Sequence, residues 1–553
     1  MRTNLTVILV AGILAACSSS STTDLGTDPG TSDVTPDVPA LDVPALDVPT
    51  TDVIEDVPAV DVMPDAAGDP GWETVNPPLP FGAEKRGYKE LRGIVHLHSN
   101  LSHDGCFPQH EDIDPALLTA CETEHRNAPC VAGMDFVMQT DHPGNLRDAT
   151  FEEALHFRAD EGDVMVNDAL GRPTANRVMC PNGSLVSSFL YYGGTEGSKN
   201  MPVGISGKIP EDVLSVSYDD SVPLDLAQAA IAKVHALGGY AFVCHPEQDD
   251  LSIERIKAAP LDGIEIFNFH PMLMDALQLN LEQFIRMDAF MTPGQVNPVP
   301  DLAILLLLQP VANDPIKFDG ASPFIRLSSF GATDIHRNVE VPTLCTDLDS
   351  CGNYTYDYPN FAQLLVTGGP AILADGDRMD SFQRSFRWMS NHTRVLSDKA
   401  DDVDEVRNSI GLGRSFMAFD MMGLPTGFDF FAVADGNAVE MGKEIAGATS
   451  VDLYVRSPVL AAPLWGIPFV DAGAYGNAMM RTKVYQATAE GVDLVLDQPG
   501  QGREFKLAAV TTGAYRVEVW ITPKHLATAL SGVEELADNE VPYLYSNAVF
   551  VRP

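Results

Sequence analysis

Positive charge is scarce in this chain. Its 553 residues hold 35 Lys and Arg against 77 Asp and Glu, a formal net charge of −42, and no basic residue occurs between Cys17 and Lys85. Nucleic acids and anionic lipid surfaces are recognised through clustered Lys and Arg, so both are excluded as partners. Also missing, past the first residues, is any apolar run near the roughly 20 residues that a membrane span needs. The longest, Leu302 to Leu308, reads as a buried helix. No two cysteines have CxxC spacing, which removes support for a structural zinc knuckle.

A hydrophobic content of 45% is enough to bury a large core, and this length implies more than one domain. Residues 1–17 stand apart from that core. Arg2, the apolar run Leu5 to Leu14 and small residues before Cys17 have the layout of a secretory signal. Leu14-Ala15-Ala16-Cys17 further resembles a bacterial lipobox, which implies an exported, cell-envelope protein lipid-anchored at Cys17, its only expected membrane contact. Ser18 after the cysteine favours the outer membrane. Residues 18–83 repeat Asp-Val-Pro at 42–44, 47–49 and 56–58, and thirteen acidic residues fall within 18–75. Such a self-repelling, Pro-rich stretch cannot bury enough apolar surface to fold and reads as a tether. Seven cysteines follow Cys17. Cys345 and Cys351 are spaced to close a small loop, Cys106, Cys121, Cys130 and Cys180 lie where loops need pinning, and Cys244 reads as a buried thiol.

From residue 84 onward, short apolar strands end in His or Asp. Gly93 to His98 reads as a strand whose alternation points His96 and His98 to one face. Asp104 follows, with His103 competing for its role. Met134 to Gln139 runs into Asp141-His142, Phe189 to Tyr192 into Glu196, and Tyr240 to Cys244 into His245. The strand over 262–269 carries Glu265 and precedes His270, and Phe324 to Phe330 leads to Asp334 and His336. Leu224 to Leu237 has helical periodicity and stops at Gly238-Gly239. Further helices are expected around 361–366 and 404–410. Residues 436–553 instead alternate with frequent turns, predicting a small β-sandwich after the α/β domain of 84–435.

In parallel α/β folds, chemistry gathers at the carboxyl ends of strands. His96, His98, Asp104, His142, Glu196, His245, Asp334 and His336 together have the composition of a multinuclear metal site. The motifs HLHSNLSHDG, TDH, GTE, CHPE with GIEIFN, and ATDIH, in that order over roughly 90–420, resemble the PHP (polymerase and histidinol phosphatase) superfamily, most of all its CehA-type members. That resemblance implies a distorted (β/α)7 barrel with two or three divalent ions, Mn, Zn or Fe. One ion would take His96, His98, bridging Glu196 and Asp334; a second Asp104, His142 and His336; a third Glu196 and His245. The closing Pro542 to Asn547 is similar to the end of the sandwich domain in CehA-type proteins. Residues 197–234 contain no His for the third ion, for which His270 is a substitute, whereas His235 reads as a helix-end residue.

The resemblance implies hydrolysis of a small-molecule phosphoester by a metal-bound water held by Glu196, Asp334 and His336. Asp141 is placed to orient an imidazole, and Arg147, Lys208 and Arg337 are candidate substrate clamps. A carboxylic or carbamate ester hydrolase, and a non-catalytic surface protein stabilised by metal, are the alternatives, because a fold does not fix a substrate. The oligomeric state is not legible in the sequence.

Overall fold

The structure is a computed structural model that describes residues 84–102, 105–106, 115–142, 149–190, 199–206, 216–269, 286–291, 298–306, 308, 315–337, 340–341 and 369–553. Asp104, His103, Glu196, Arg147, Lys208, His270, Cys345, Cys351, the helix expected at 361–366 and the residues before 84 lie outside these. Among the described residues, no helix is long and apolar enough to cross a membrane.

Three strands form a parallel block: β1 (Tyr88–Val95), β2 (Phe136–Gln139) and β3 (Leu185–Leu190). A second block holds β4 (Tyr240–Val243), β5 (Gly263–Asn268) and β6 (Ser328–Ala332), also mutually parallel. The burial patterns of β2, β5 and β6 are uninterrupted, as expected of strands covered on both faces. Gly93 is needed in β1, because a Cβ there would sit 2.4 Å from the Phe136 carbonyl oxygen of β2. The blocks meet past their strand ends, where Leu97 pairs in parallel with Ile335.

Several described helices accompany these strands, among them the following two. Helix α1 (Pro115–Ala132) is clipped by both disulfides, Cys106–Cys121 and Cys130–Cys180. Helix α2 (Leu224–Ala236) buries Ala227, Ala230, Ile231 and Val234, the spacing read in the sequence, and ends at Gly238 with φ +76°. Cys244 is a buried free thiol. The buried helix read at Leu302 to Leu308 is present as a 3-10 helix, Pro300–Leu306, that buries Leu302 through Leu306.

The expected barrel does not close among the described residues. The second edge of β1 is occupied by the antiparallel strand β7 (Ser390–Leu396), which continues through β8 (Ser415–Ala418). The buried outer edge of β6 then meets side chains in place of a strand. Asn391 of β7 pairs its amide with Gly331 N and O at 2.9 and 2.8 Å, and Asn547 does the same for Ser329 at 2.6 and 2.7 Å. Backbone groups in the core must find partners, and here side-chain amides supply them without a ladder.

Beyond residue 418 the chain is rich in strands. Among them, β9 (Gly513–Thr522) pairs with β10 (Val541–Ser546), and β10 pairs with β8, so the sheet containing β1 runs into the C-terminal strands. Arg516 of β9 makes buried bonds of 2.7 Å to each carboxylate oxygen of Asp319.

Candidate metal centre

The side chains of interest sit at the carboxyl ends of β1, β2, β4 and β6. Strand β1 ends at Val95, one residue before the first histidine, which corrects the expectation that His96 and His98 share a strand face. His96 has φ +66° and kinks the chain. Asp334 (φ +47°) and His245 (φ +51°) do the same after β6 and β4. Non-glycine residues rarely occupy this left-handed region, and three in one place are held only because their surroundings over-determine them. The stitching is visible. His98 N donates to Ile335 O (3.0 Å), Asp334 N to His96 O (2.9 Å), and Thr140 N to Leu97 O (3.0 Å).

This brings His96, His98, His142, His245, Asp334 and His336 to one place. Nitrogens of His98, His142 and His336 converge within 4.8 Å of one another, as do the donor atoms of His96, His98 and Asp334. His98 belongs to both groups. Its ring stacks on His336 with centroids 3.9 Å apart and lies 4.5 Å from that of His142. Asp334 Oδ1 is 3.2 Å from His96 Nε2 and 3.1 Å from His98 Nε2; Asp334 Oδ2 is 3.6 Å from His245 Nε2.

A second set of groups orients these donors. The inward carboxylate of Glu265 in β5 bonds His96 Nδ1 through one oxygen, and the other accepts from His245 N at 2.8 Å. Asn268 donates to Glu265 Oε2 (3.3 Å) and Asp334 Oδ2 (3.2 Å). Ser102 Oγ lies 3.1 Å from His98 Nδ1 and accepts from His142 N at 3.2 Å. His336 Nδ1 faces the Asp334 carbonyl at 2.9 Å. Asp141 accepts from Ser99 N (2.5 Å) and Ser99 Oγ (3.0 Å), thereby fixing the loop that carries His98. Neither Asn268 nor Ser102 is marked out by the sequence, and Glu265 is visible there without a role. The available signal for Glu265 was a carboxylate between Ile264 and Ile266 in an apolar strand, where burial demands a partner.

Elsewhere, His235 lies outside the cluster and bonds Asp262 at 2.7 Å on the surface. Arg337 is paired with Glu124 at 3.1 Å.

The electrostatics suit cations. Burial pushes the Asp334 carboxyl up, but the imidazoles of His96 and His336 outweigh it and hold the group well below the usual carboxylate range. Burial, reinforced by His336 and His142, drives the His98 imidazole far down, leaving a neutral ligand. For His245, burial is overcome by Glu247, Asp334 and Glu265, and the pKa rises to about 9. His98 Nε2 and Asp334 Oδ1 face each other 3.1 Å apart, yet among the described residues neither makes a well-directed hydrogen bond. Buried atoms of this kind are the ones a divalent ion would satisfy, and imidazole with carboxylate is a donor set for Mn, Zn or Fe.

No family model matches the chain, and no curated protein does. Among solved structures, the chain is similar to a two-domain protein from Bacteroides vulgatus containing a predicted PHP-like metal-dependent phosphoesterase. That likeness is 11% identical, spans 85% of this chain and 98% of the other, and has a TM-score of 0.27. A likeness at that score assigns neither fold nor function.

Proposed function

We propose that the chain is a metal-dependent hydrolase of phosphoesters. The observation that carries this reading is the convergence of two donor groups that share the buried His98, one with the half-buried His142 and buried His336, the other with buried His96 and Asp334. Divalent cations held there would supply Lewis acidity toward a phosphoryl oxygen and acidify a water. The chain's own contribution is positioning. Glu265, Ser102 and the Asp334 carbonyl engage the Nδ1 atoms of His96, His98 and His336, so Nε2 is the atom each ring has left for a ligand. Ionised Asp334 adds negative charge at the centre, which favours cations and offsets their mutual repulsion. Outside the described residues, Asp104 and Glu196 complete the ligand set of this proposal. The lipobox at Cys17 and the two disulfides support an exported, lipid-anchored protein.

Purified full-length protein, supplied with Mn(II) or Zn(II), is expected to hydrolyse aryl phosphates. His98→Ala and Asp334→Ala should lose bound metal, counted by elemental analysis, together with turnover. Full metal loading in both variants would remove the site, and turnover of aryl carboxylic esters alone would change the bond attacked.

A further inference from the structure

Away from the metal ligands, a buried polar cluster joins β1, β7 and the 3-10 turn Asp420–Met422 that follows β8. Glu90 of β1 and His392 of β7 lie diagonally across the β1–β7 ladder, in which His392 is registered with Arg92. On its other side His392 is registered with Phe416 of β8, and the two rings stack with centroids 4.6 Å apart. Ser390, His392 and Asp420 are fully buried, and Glu90 nearly so.

The protons of this cluster can be counted. Ser390 Oγ donates to Asp420 Oδ2 at 2.5 Å, and a hydroxyl has one hydrogen. Toward His392 Nε2, 3.2 Å away, Ser390 Oγ therefore accepts, and Nε2, which also faces Asp420 Oδ1 at 3.5 Å, must carry a proton. The other ring nitrogen, Nδ1, faces Glu90 Oε1 at 3.0 Å, and an ionised carboxylate only accepts. Both nitrogens donate, which among imidazole states only the cation does. Serine, histidine and glutamate in this order have the look of a nucleophile triad, but the serine proton points away from the ring and the serine is shut off from solvent.

The charges around the ring favour the same state. Lys85 lies 3.7 Å from Glu90 Oε2, and Arg92 Nε 3.6 Å from Asp420 Oδ2, so each carboxylate faces a further cation. Burial pushes the Glu90 carboxyl up, but Lys85, His392 and Arg394 outweigh it and hold the group below its ordinary range. For His392, burial is outweighed by Asp420 and Glu90, and the pKa lies above the ordinary 6.5. Asp135, just before β2, also senses the His392 charge, and Tyr543 of β10, a neutral phenol, stands near Asp420. Phe416, the facing group of β8, carries no charge.

We propose that His392 is a proton-operated latch: protonated, it locks Glu90 of β1 to Asp420 of the turn after β8, and on losing its proton in alkali it releases them. Without that proton one ring nitrogen turns a buried lone pair on an acceptor oxygen, which drives the two apart. The latch contributes fully below pH 6.5, and its contribution is lost as pH rises through the folded pKa.

Selective 15N-histidine labelling of the full-length protein tests the proton count. The signal missing from His392→Gln, and moved to lower pH in Glu90→Gln, is expected to show both ring nitrogens protonated at pH 7 and to titrate above 6.5; Glu90→Gln assigns it should the other variant not fold. A bare ring nitrogen at pH 7 overturns the proposal. Hydrogen exchange tests the release. Protection of the amides of β1 and of residues 420–423, corrected for the intrinsic rise of exchange with pH, should fall about tenfold for each unit by which the His392 midpoint exceeds 6.5. In Glu90→Gln this fall should move to lower pH with the signal. Protection that ignores the His392 titration makes the group a buried charge without a latch, and overturns the proposal.

Discussion

The side-chain amide of Asn547 pairs with both backbone groups of Ser329, accepting from N at 2.6 Å and donating to O at 2.7 Å. The same Nδ2 reaches the Ser415 carbonyl at 2.9 Å. One residue near the chain's C-terminus therefore fastens β6, which leads to Asp334 and His336, to β8. Asn547→Ala would leave two buried backbone groups of Ser329 without these partners, at about 1–3 kcal/mol each. A loss of about 3 kcal/mol in denaturant stability is expected, and a variant within 0.5 kcal/mol of the parent would contradict this.

Glu265 orients rather than ligates. Gln in its place keeps the shape but loses the charge that holds the His96 proton on Nδ1 and raises that ring's basicity. Outer groups of this kind typically contribute 10–100-fold in metal affinity. Chelator competition on Glu265→Gln should therefore show at least about tenfold weaker binding with an unchanged circular dichroism spectrum. Parent-like affinity would deny Glu265 this role.

His525 makes stability depend on pH away from the metal centre. Buried at 5% exposure, it hydrogen-bonds the Met422 carbonyl through Nε2 at 2.7 Å. Burial lowers its pKa from 6.5 to about 4, partly opposed by that carbonyl. As pH falls from 6.5 to 4, the unfolded state binds this proton and the folded state does not. The full contribution is present above 6.5 and is lost progressively by pH 4, about 3 kcal/mol in all. His525→Gln should flatten that part of the stability profile; parallel profiles for variant and parent would disprove the assignment.

The disulfides close sequence separations of 15 and 50 residues, Cys106–Cys121 and Cys130–Cys180. Loop-closure entropy assigns them about 3 and about 4 kcal/mol of stability respectively. Cys180→Ser should thus be more damaging than Cys121→Ser in denaturant titrations, and reductant, which breaks both bonds, should bring the parent below either variant. No response of the parent to reductant would mean that neither bond forms.

The sequence was most legible where chemistry and periodicity coincide. Apolar strands ending in His or Asp were readable because a buried strand shows as an uninterrupted run and its end as a polar break, as in Tyr240 to Val243 before His245. Helix Leu224–Ala236 was readable because one buried face and a terminal glycine repeat a local rule. Asp104 and Glu196, read from the same kind of pattern, fall outside the described residues. The 3-10 form of Pro300–Leu306 was not readable, since composition sets burial and not helical pitch.

What the sequence determined by itself is an acidic chain, poor in cations, with a set of imidazoles and carboxylates placed just after apolar strands. Those properties belong to single residues and their near neighbours. Tertiary structure alone decided that His96, Asp334 and His245 turn through the left-handed region, that Glu265 meets His96 across 169 positions, and that Asn391 and Asn547 satisfy the edge of β6 where a barrel strand was expected. Each depends on which strands become neighbours, and that choice is made by packing between distant segments, on which local periodicity is silent.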